Sequence, residues 1–290
     1  GNGVTLLDRK NPAKPASKYL NSSSEAGFLI DFVGALQYDK LNRGMWLGTN
    51  QGLYFYDLNT ETLKVPFGDQ SSNAISGIVG SAIDEKNQLW IGCAEGVYAI
   101  NLNRGSDNYF SYKHYKYKLD DPQSRLIDKI TCIYLDSKGI LWLGSDGFGL
   151  YKRVIDNQGD VSFKAYTMAD GLVSNNVKGI VEDDSGNLWI STNNGLSFLD
   201  RKNFQFSNLY KEDGLGSNQF YWNAYCKSSD GTLYFGTVDG LIGIDATSIF
   251  SNVKKYKVTL TNLIVNNQPV FPGKFIDSDI SISDRMAIHE

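Results

Sequence analysis

At 290 residues the chain is long enough to bury a substantial core. Its net charge of −4, with acidic and basic side chains interspersed, argues against a nucleic-acid footprint and against a polybasic membrane surface. No run approaches the roughly 18 apolar residues of a membrane span and no charged-then-apolar leader opens the sequence, so the stretch reads as soluble.

The opening Gly3-Val-Thr-Leu-Leu-Asp-Arg-Lys-Asn11 aligns with a later stretch, Gly195-Leu-Ser-Phe-Leu-Asp-Arg-Lys-Asn203. It reads as the last strands of a repeat whose first strands are absent. Asn11–Ser17 and Asn21–Glu25 read as irregular surface segments from their Pro and Ser content. The first complete repeat begins near Phe28.

From there a unit recurs five times, anchored on Trp46, Trp90, Trp142, Trp189 and Tyr234, with spacings of 44, 52, 47 and 45 residues. A fixed period in this range, with strand chemistry inside each unit, signals propeller blades. Each anchor opens a β-rich run that is followed by a turn containing Gly52, Gly96, Gly149, Gly195 or Gly240 and then by a second β-rich run. Asn193-Asn194-Gly195 is the clearest of these hairpin turns.

Before the anchors lie Ile78–Ile83, Ile130–Leu135, Val177–Val181 and Asn223–Cys226, each ending in a polar turn such as Asp183-Asp-Ser-Gly-Asn187. Phe163–Tyr166 and Phe206–Tyr210 follow the hairpins with aromatic and polar residues alternating, as on a half-exposed outer strand. Four antiparallel strands per unit make a blade. The expected fold is therefore an all-β propeller of four-stranded antiparallel blades, with five complete repeats and a partial one. Residues 1–27 form the partial blade and a loop, 28–256 the five blades, and 257–290 the beginning of a further β element from Lys257–Val265.

Several motifs invite chemistry and are better explained by structure. Gly144-Ser-Asp-Gly-Phe-Gly149 leads from strand to strand, so it has no helix N-terminus with which to cradle phosphate. Asp183–Asn187 lacks the distal glutamate of a calcium loop. His114 and His289 are the only histidines, too few for a His-rich metal site or for a catalytic triad built on a neighbouring histidine. No cofactor is expected. Cys93, Cys132 and Cys226 have the spacing of neither a disulfide framework nor a zinc site and read as small buried residues in strands. Tyr109–Tyr117 interleaves aromatics with lysines, and an outer strand with snorkelling lysines is preferred to a nucleic-acid surface.

The anchors read as packing between blades. Candidate ligand contacts are placed instead in the near-identical loops Asp170–Asn176 and Asp213–Gln219 and the strand after them: Asn175, Asn176, Asn218, Gln219, Tyr221 and Trp222. For Trp222, the one tryptophan outside the anchor position, core packing competes with ligand contact.

The units Ser185-Gly-Asn-Leu-Trp-Ile-Ser-Thr192 and Gly52-Leu-Tyr-Phe-Tyr-Asp57 resemble the two-component regulator propeller repeat. The stretch from Glu212 through Asn218-Gln-Phe-Tyr-Trp-Asn-Ala224 to Gly236 is similar to that family's last blade, and Val258–Val265 to the first strand of the β-sandwich that follows it. The resemblance implies the periplasmic sensor part of a hybrid histidine kinase that detects oligosaccharides, with the kinase and the membrane connection outside this chain. It also implies seven blades, so an open arc is expected here, its exposed end covered by the Lys257–Val265 strand or by a second copy of the chain in a homodimer. The competing readings are a propeller enzyme acting on polysaccharide, with Asp170 and Asp213 as its acids, and a protein-binding scaffold.

Overall fold

The computed structural model describes residues 3–7, 10, 18–20, 32–66, 75–105, 110–116, 129–249, 263–265 and 268–270. The irregular segments 11–17 and 21–25, the start of the first repeat near Phe28 and most of Lys257–Val265 lie outside them. The chain divides into two compact units, Gly1–Ala246 and Thr247–Glu290.

In the first unit each repeat forms its own antiparallel sheet. Blade 1 comprises β3 (Val33–Asp39), β4 (Gly44–Thr49), β5 (Leu53–Asp57) and β6 (Thr62–Lys64). Blade 2 comprises β7 (Gly80–Ile83), β8 (Gln88–Cys93), β9 (Gly96–Asn101) and β10 (Tyr112–Tyr115). Blade 3 runs through β11 (Ile130–Leu135), β12 (Leu141–Ser145), β13 (Leu150–Ile155) and β14 (Val161–Tyr166). Blade 4 has β15 (Val177–Glu182), β16 (Leu188–Thr192), β17 (Leu196–Asp200) and β18 (Gln205–Leu209).

Blade 5 has three described strands, β19 (Phe220–Lys227), β20 (Leu233–Thr237) and β21 (Gly240–Ile244). In every blade, strands adjacent in sequence are adjacent in the sheet, and blades 1 to 4 have the four strands expected. The described helix is one short segment, Ala246–Ile249, and two single 3-10 turns.

The four tryptophan anchors are fully buried, and the first three pack against the following blade. Trp46 lies with Ile91 and Tyr98 of blade 2, Trp90 with Leu141 and Tyr151 of blade 3, and Trp142 with Leu188 and Leu199 of blade 4. A buried indole N–H needs an acceptor. The aspartate that ends each inner strand supplies it: Trp46, Trp90, Trp142 and Trp189 donate to Asp39, Asp84, Asp136 and Asp183 at 2.7–3.0 Å.

The other oxygen of Asp84, Asp136 and Asp183 accepts the amides two and four residues on, which folds the polar turn between the first two strands. The calcium-like segment Asp183–Asn187 is such a turn. In blade 5, Ser228 stands where the aspartate would be and Tyr234 where the tryptophan would be. Tyr234 is only half-buried, the one anchor that falls short of the expected burial.

Arginines from the next blade close this arrangement. Arg153 of blade 3 reaches Asp84 at 2.7 Å and lies over the Trp90 ring at 5.0 Å. Arg201, after the third strand of blade 4, reaches Asp136 at 2.6 Å and lies over Trp142 at 5.6 Å.

The glycine two residues after Trp46, Trp90 and Trp142 allows the next blade to approach. A Cβ on Gly92 or Gly144 would come within 2.5 Å of Ile130 or Val177. One residue further on, Thr49, Ser145, Thr192 and Thr237 donate their hydroxyls to the carbonyls of Gly52, Gly149, Gly195 and Gly240, closing the hairpins. Cys93 occupies this position in blade 2, its thiol directed at the Gly96 carbonyl at 3.6 Å. Cys132 is fully buried and its thiol is pushed up to about 12 by burial. Cys226 is exposed, because it lies on the weakly covered β19; the expectation of burial fails there.

The opening segment forms a separate hairpin of β1 (Val4–Leu6) and β2 (Lys18–Leu20). Val4 pairs with Leu20 as Leu196 pairs with Leu209, the register of the outer two strands of a blade. This hairpin packs on Leu47, Tyr54 and Tyr56 of blade 1. Leu36 and Tyr38 of β3 are 54 % and 49 % exposed, although Ile133 and Ile180, which match Leu36 in register, are buried. In the second unit, strands β22 (Leu263–Val265) and β23 (Gln268–Val270) pair antiparallel.

Two substitutions test this packing by chemical denaturation. Trp142→Ala should cost about 3–5 kcal/mol as a buried large-to-small change. Arg153→Ala, which leaves Asp84 buried without its cation, should cost about 3 kcal/mol or more, against less than about 1 kcal/mol for Lys64→Ala at the more exposed pair with Asp57.

Candidate functional site

The inner strands do not pair regularly along their length. In blades 1, 3 and 4 a single extra residue bulges from the inner strand: Gly34 between Val33 and Ala35, Thr131 between Ile130 and Cys132, and Lys178 between Val177 and Gly179. A bulge re-aims a side chain out of the ladder. Here all three bulged residues line one central cavity of roughly 910 Å³, with Gly77 and Val79 contributed by the connection into blade 2.

Blade 5 differs in degree. Phe220 pairs with Thr237 and Tyr225 with Phe235, so Tyr221, Trp222, Asn223 and Ala224 together face the single residue Gly236. This large bulge carries Tyr221 and Trp222 into the cavity, where they are 58 % and 62 % exposed. Asn223 adopts the left-handed conformation at φ 51° and donates its side-chain amide to the Val79 carbonyl of blade 2 at 2.8 Å, pinning the bulge across the centre. The Lys178 ammonium lies 4.5 Å from the centre of the Trp222 ring. Ala94, Lys129 and Asp146 also line the cavity. Trp222 is therefore no core residue. It is an open aromatic face in an apolar chamber.

The six residues singled out in the sequence separate into groups. Tyr221 and Trp222 are together in the cavity, whereas Asn175, Asn176, Asn218 and Gln219 are not among its lining residues. Asn175 accepts the Met168 amide at 2.9 Å through its side chain, and its carbonyl accepts the amides of Gly147 and Gly149. Asn218 repeats this, accepting the Lys211 amide at 2.7 Å and, through its carbonyl, the Gly195 amide. Each asparagine thus folds its own loop and clamps it to the hairpin turn of the preceding blade. The Asn176 carbonyl accepts the Asn193 amide and that of Gln219 accepts Val238, which tie the loops to neighbouring turns.

Asp170 and Asp213, the candidate acids, also fold their loops. They accept the amides of Thr167 and Tyr210 and so cap the 3-10 turns that end at Gly171 and Gly214, both at φ 103°. Neither is among the lining residues. Lys178, Thr131 and Asn223 are the site residues that sequence reasoning missed. The available indication was the residue after Val33, Ile130, Val177 and Phe220, where chemistry varies while the flanking positions stay apolar or small.

Elsewhere, the aromatic and basic stretch is used internally, as an outer strand. Tyr115 stacks on Trp90 with ring centres 5.9 Å apart, and His114 on Tyr98 at 3.9 Å. Burial pushes the His114 imidazole below its usual range. Among the described residues no group of His, Cys, Asp and Glu is arranged to hold a metal ion, and no helix is long and apolar enough to cross a membrane.

Comparison with known proteins places this architecture. The family described as "Two component regulator propeller" matches residues 125–147 and 171–194, which fall on the inner halves of blades 3 and 4 and the connections leading into them. A curated relative, Histidine kinase P4 of Formosa agariphila, is 24 % identical over 93 % of this chain. The chain spans 23 % of that protein's length.

Among solved structures, the extracellular domain of the hybrid two component system BT3049 from B. thetaiotaomicron superposes with a TM-score of 0.64 at 22 % identity. The match covers 88 % of this chain and 36 % of that one. PorZ, a surface component of the type-IX secretion system of Porphyromonas gingivalis, superposes with a TM-score of 0.56 at 19 % identity, over 79 % of this chain and 34 % of its own. At these identities the structural likenesses establish the fold. The resemblance read in the repeats is found again in the family match, the kinase and the extracellular domain of the two component system.

The different duties of these residues predict different outcomes. Asn218→Ala and Asn175→Ala, each leaving a loop amide without its partner, should lower stability by about 1 kcal/mol. Trp222→Ala should change it by less than about 0.5 kcal/mol, as expected of an exposed side chain. Thermal melts of the three variants beside the parent check both.

Proposed function

We propose that this chain, which carries two component regulator propeller repeats, is the ligand-sensing region of an extracytoplasmic two-component sensor. It takes up an oligosaccharide in the central cavity and passes the change to a histidine kinase elsewhere in the parent protein. The observation that carries the reading is the bulge of blade 5, which leaves Tyr221 and Trp222 open in a chamber bordered by the other four blades. Exposed aromatic rings offer flat apolar faces beside polar edges, which suits the C–H faces and hydroxyl edges of sugars. The cavity volume is within the range of about 300–1,000 Å³ usual for ligand sites.

The kinase relative supports the signalling role, and the extracellular domain of the hybrid system supports the location outside the cytoplasm. In this reading β1 and β2 are the outer strands of a further, partial blade, and the β22–β23 hairpin belongs to a following β-sandwich. Pairing of exposed blade ends with a second copy remains part of the proposal. Tyr221 and Trp222 are the proposed contacts, and Asn175, Asn176, Asn218 and Gln219 hold the surrounding turns, the first and third through side chain and backbone carbonyl and the other two through the backbone carbonyl.

Catalysis is the less favoured alternative. Glycoside hydrolysis ordinarily takes two carboxyl groups flanking the scissile bond, and the described lining holds one, Asp146. Asp170 and Asp213 are engaged in capping their own turns.

Isothermal titration against a panel of oligosaccharides, with a reducing-end assay on the same mixtures, tests the proposal. Saturable binding without cleavage is expected, and Trp222→Ala should weaken it while the melting curve stays in place. Turnover of a bound sugar would establish the enzyme reading, and unchanged affinity in Trp222→Ala would move the site away from the cavity.

A further inference from the structure

Among the described residues, the ionisable side chains that line the cavity carry a net charge opposite in sign to that of the whole chain. Against a net charge of −4 overall, the ionisable side chains among the described lining residues are Lys129, Lys178 and Asp146, apart from the phenol of Tyr221, a balance of one positive charge. Lys178 is the informative one. It occupies the bulge position that is Gly34 in blade 1 and Thr131 in blade 3, so the ladder itself places no demand for a long cation there.

The described residues give the Lys178 ammonium no carboxylate partner. It rests on the Trp222 ring, 4.5 Å from the centroid. The two well-buried arginines, by contrast, are neutralised, Arg153 by Asp84 and Arg201 by Asp136 and Glu182. A cation in a chamber with largely apolar walls is poorly screened and attracts an anion strongly. A contact with an aromatic face is also weaker than a charge-assisted hydrogen bond to a carboxylate.

We infer that the ligand of the central cavity is an anionic sugar, a uronic-acid oligosaccharide whose carboxylate is received by Lys178 while its ring packs against Trp222. The inference rests on the reading of the cavity as a sugar site and specifies the ligand class. On binding, the ammonium donates to the carboxylate and keeps its contact with the indole edge or face, so charge recognition and stacking act at one point. Lys129 adds positive potential, tempered by Asp146, whose backbone amide donates to the Lys129 carbonyl at 2.9 Å. Asp146 is then available to accept from sugar hydroxyls.

The test is calorimetric titration of the whole chain with trimers of galacturonate, glucuronate and mannuronate, each beside its carboxyl-reduced neutral counterpart. At least one uronate trimer should bind, about tenfold or more tighter than its reduced form. Its affinity should fall as sodium chloride is raised from about 50 to about 500 mM. Lys178→Gln should weaken the uronate by about tenfold and leave the neutral trimer unchanged, whereas Trp222→Ala should weaken both. Melting curves of both variants show that the fold is retained.

Neutral trimers binding as tightly as the uronates, with Lys178→Gln indifferent, would overturn the ligand class and leave the sugar-sensing reading standing. Failure of every trimer, charged and neutral, to bind the folded protein would overturn that reading and this inference with it.

Discussion

The structure depends on the hydrogen bond between a buried indole N–H and the carboxylate that ends the inner strand. Neither group is tolerable alone in an apolar interior, since an unpaired N–H costs the desolvation of a polar group and an unpaired carboxylate costs far more. Joined at 2.7–3.0 Å in blades 1 to 4, they let a large aromatic surface be buried between blades and fix the turn whose amides the same aspartate accepts. The arginines of blades 3 and 4 extend the bond across the blade boundary, so that Asp84 and Asp136 each hold a turn, an indole and a neighbouring blade. Blade 5 changes both partners together, to Ser228 and Tyr234. That follows from the same physics, because a tyrosine in the anchor position no longer presents an indole N–H and the buried carboxylate would lose its donor.

A rigid wall of this kind leaves the inner strands free to vary where they leave the ladder. The bulge positions, Gly34, Thr131, Lys178 and the stretch from Tyr221, are where the blades present chemistry to the centre. The scaffold tolerates a glycine, a hydroxyl, an ammonium or an indole there, since the residues on either side carry the packing. The loops before these strands are part of the scaffold. Asn175 and Asn218 spend both side chain and carbonyl on closing a turn and gripping the previous blade. Repetition of a loop therefore marks a structural duty here, and departure from repetition marks the site. The large bulge of blade 5 is the greatest such departure on any described inner strand.

Much of this was legible in the chain itself. The period of the anchors, the Gly-containing turns and the polar segments between strands determined the five blades and the strand order, because each feature is local: a turn needs its own aspartate or glycine wherever the strand is placed. The burial of the four tryptophans followed from their recurrence. What the sequence could not determine were the relations between blades. That Arg153 and Arg201 reach back to Asp84 and Asp136, that Cys93 substitutes for a hydroxyl while Cys226 faces outward, and that Trp222 stands open beside Lys178 all depend on residues brought together by the stacking of sheets. The register of β19 against β20 is the decisive case. Residues Tyr221–Ala224 have ordinary strand chemistry, and only the pairing of Phe220 with Thr237 and of Tyr225 with Phe235 forces them out of the sheet and into the cavity.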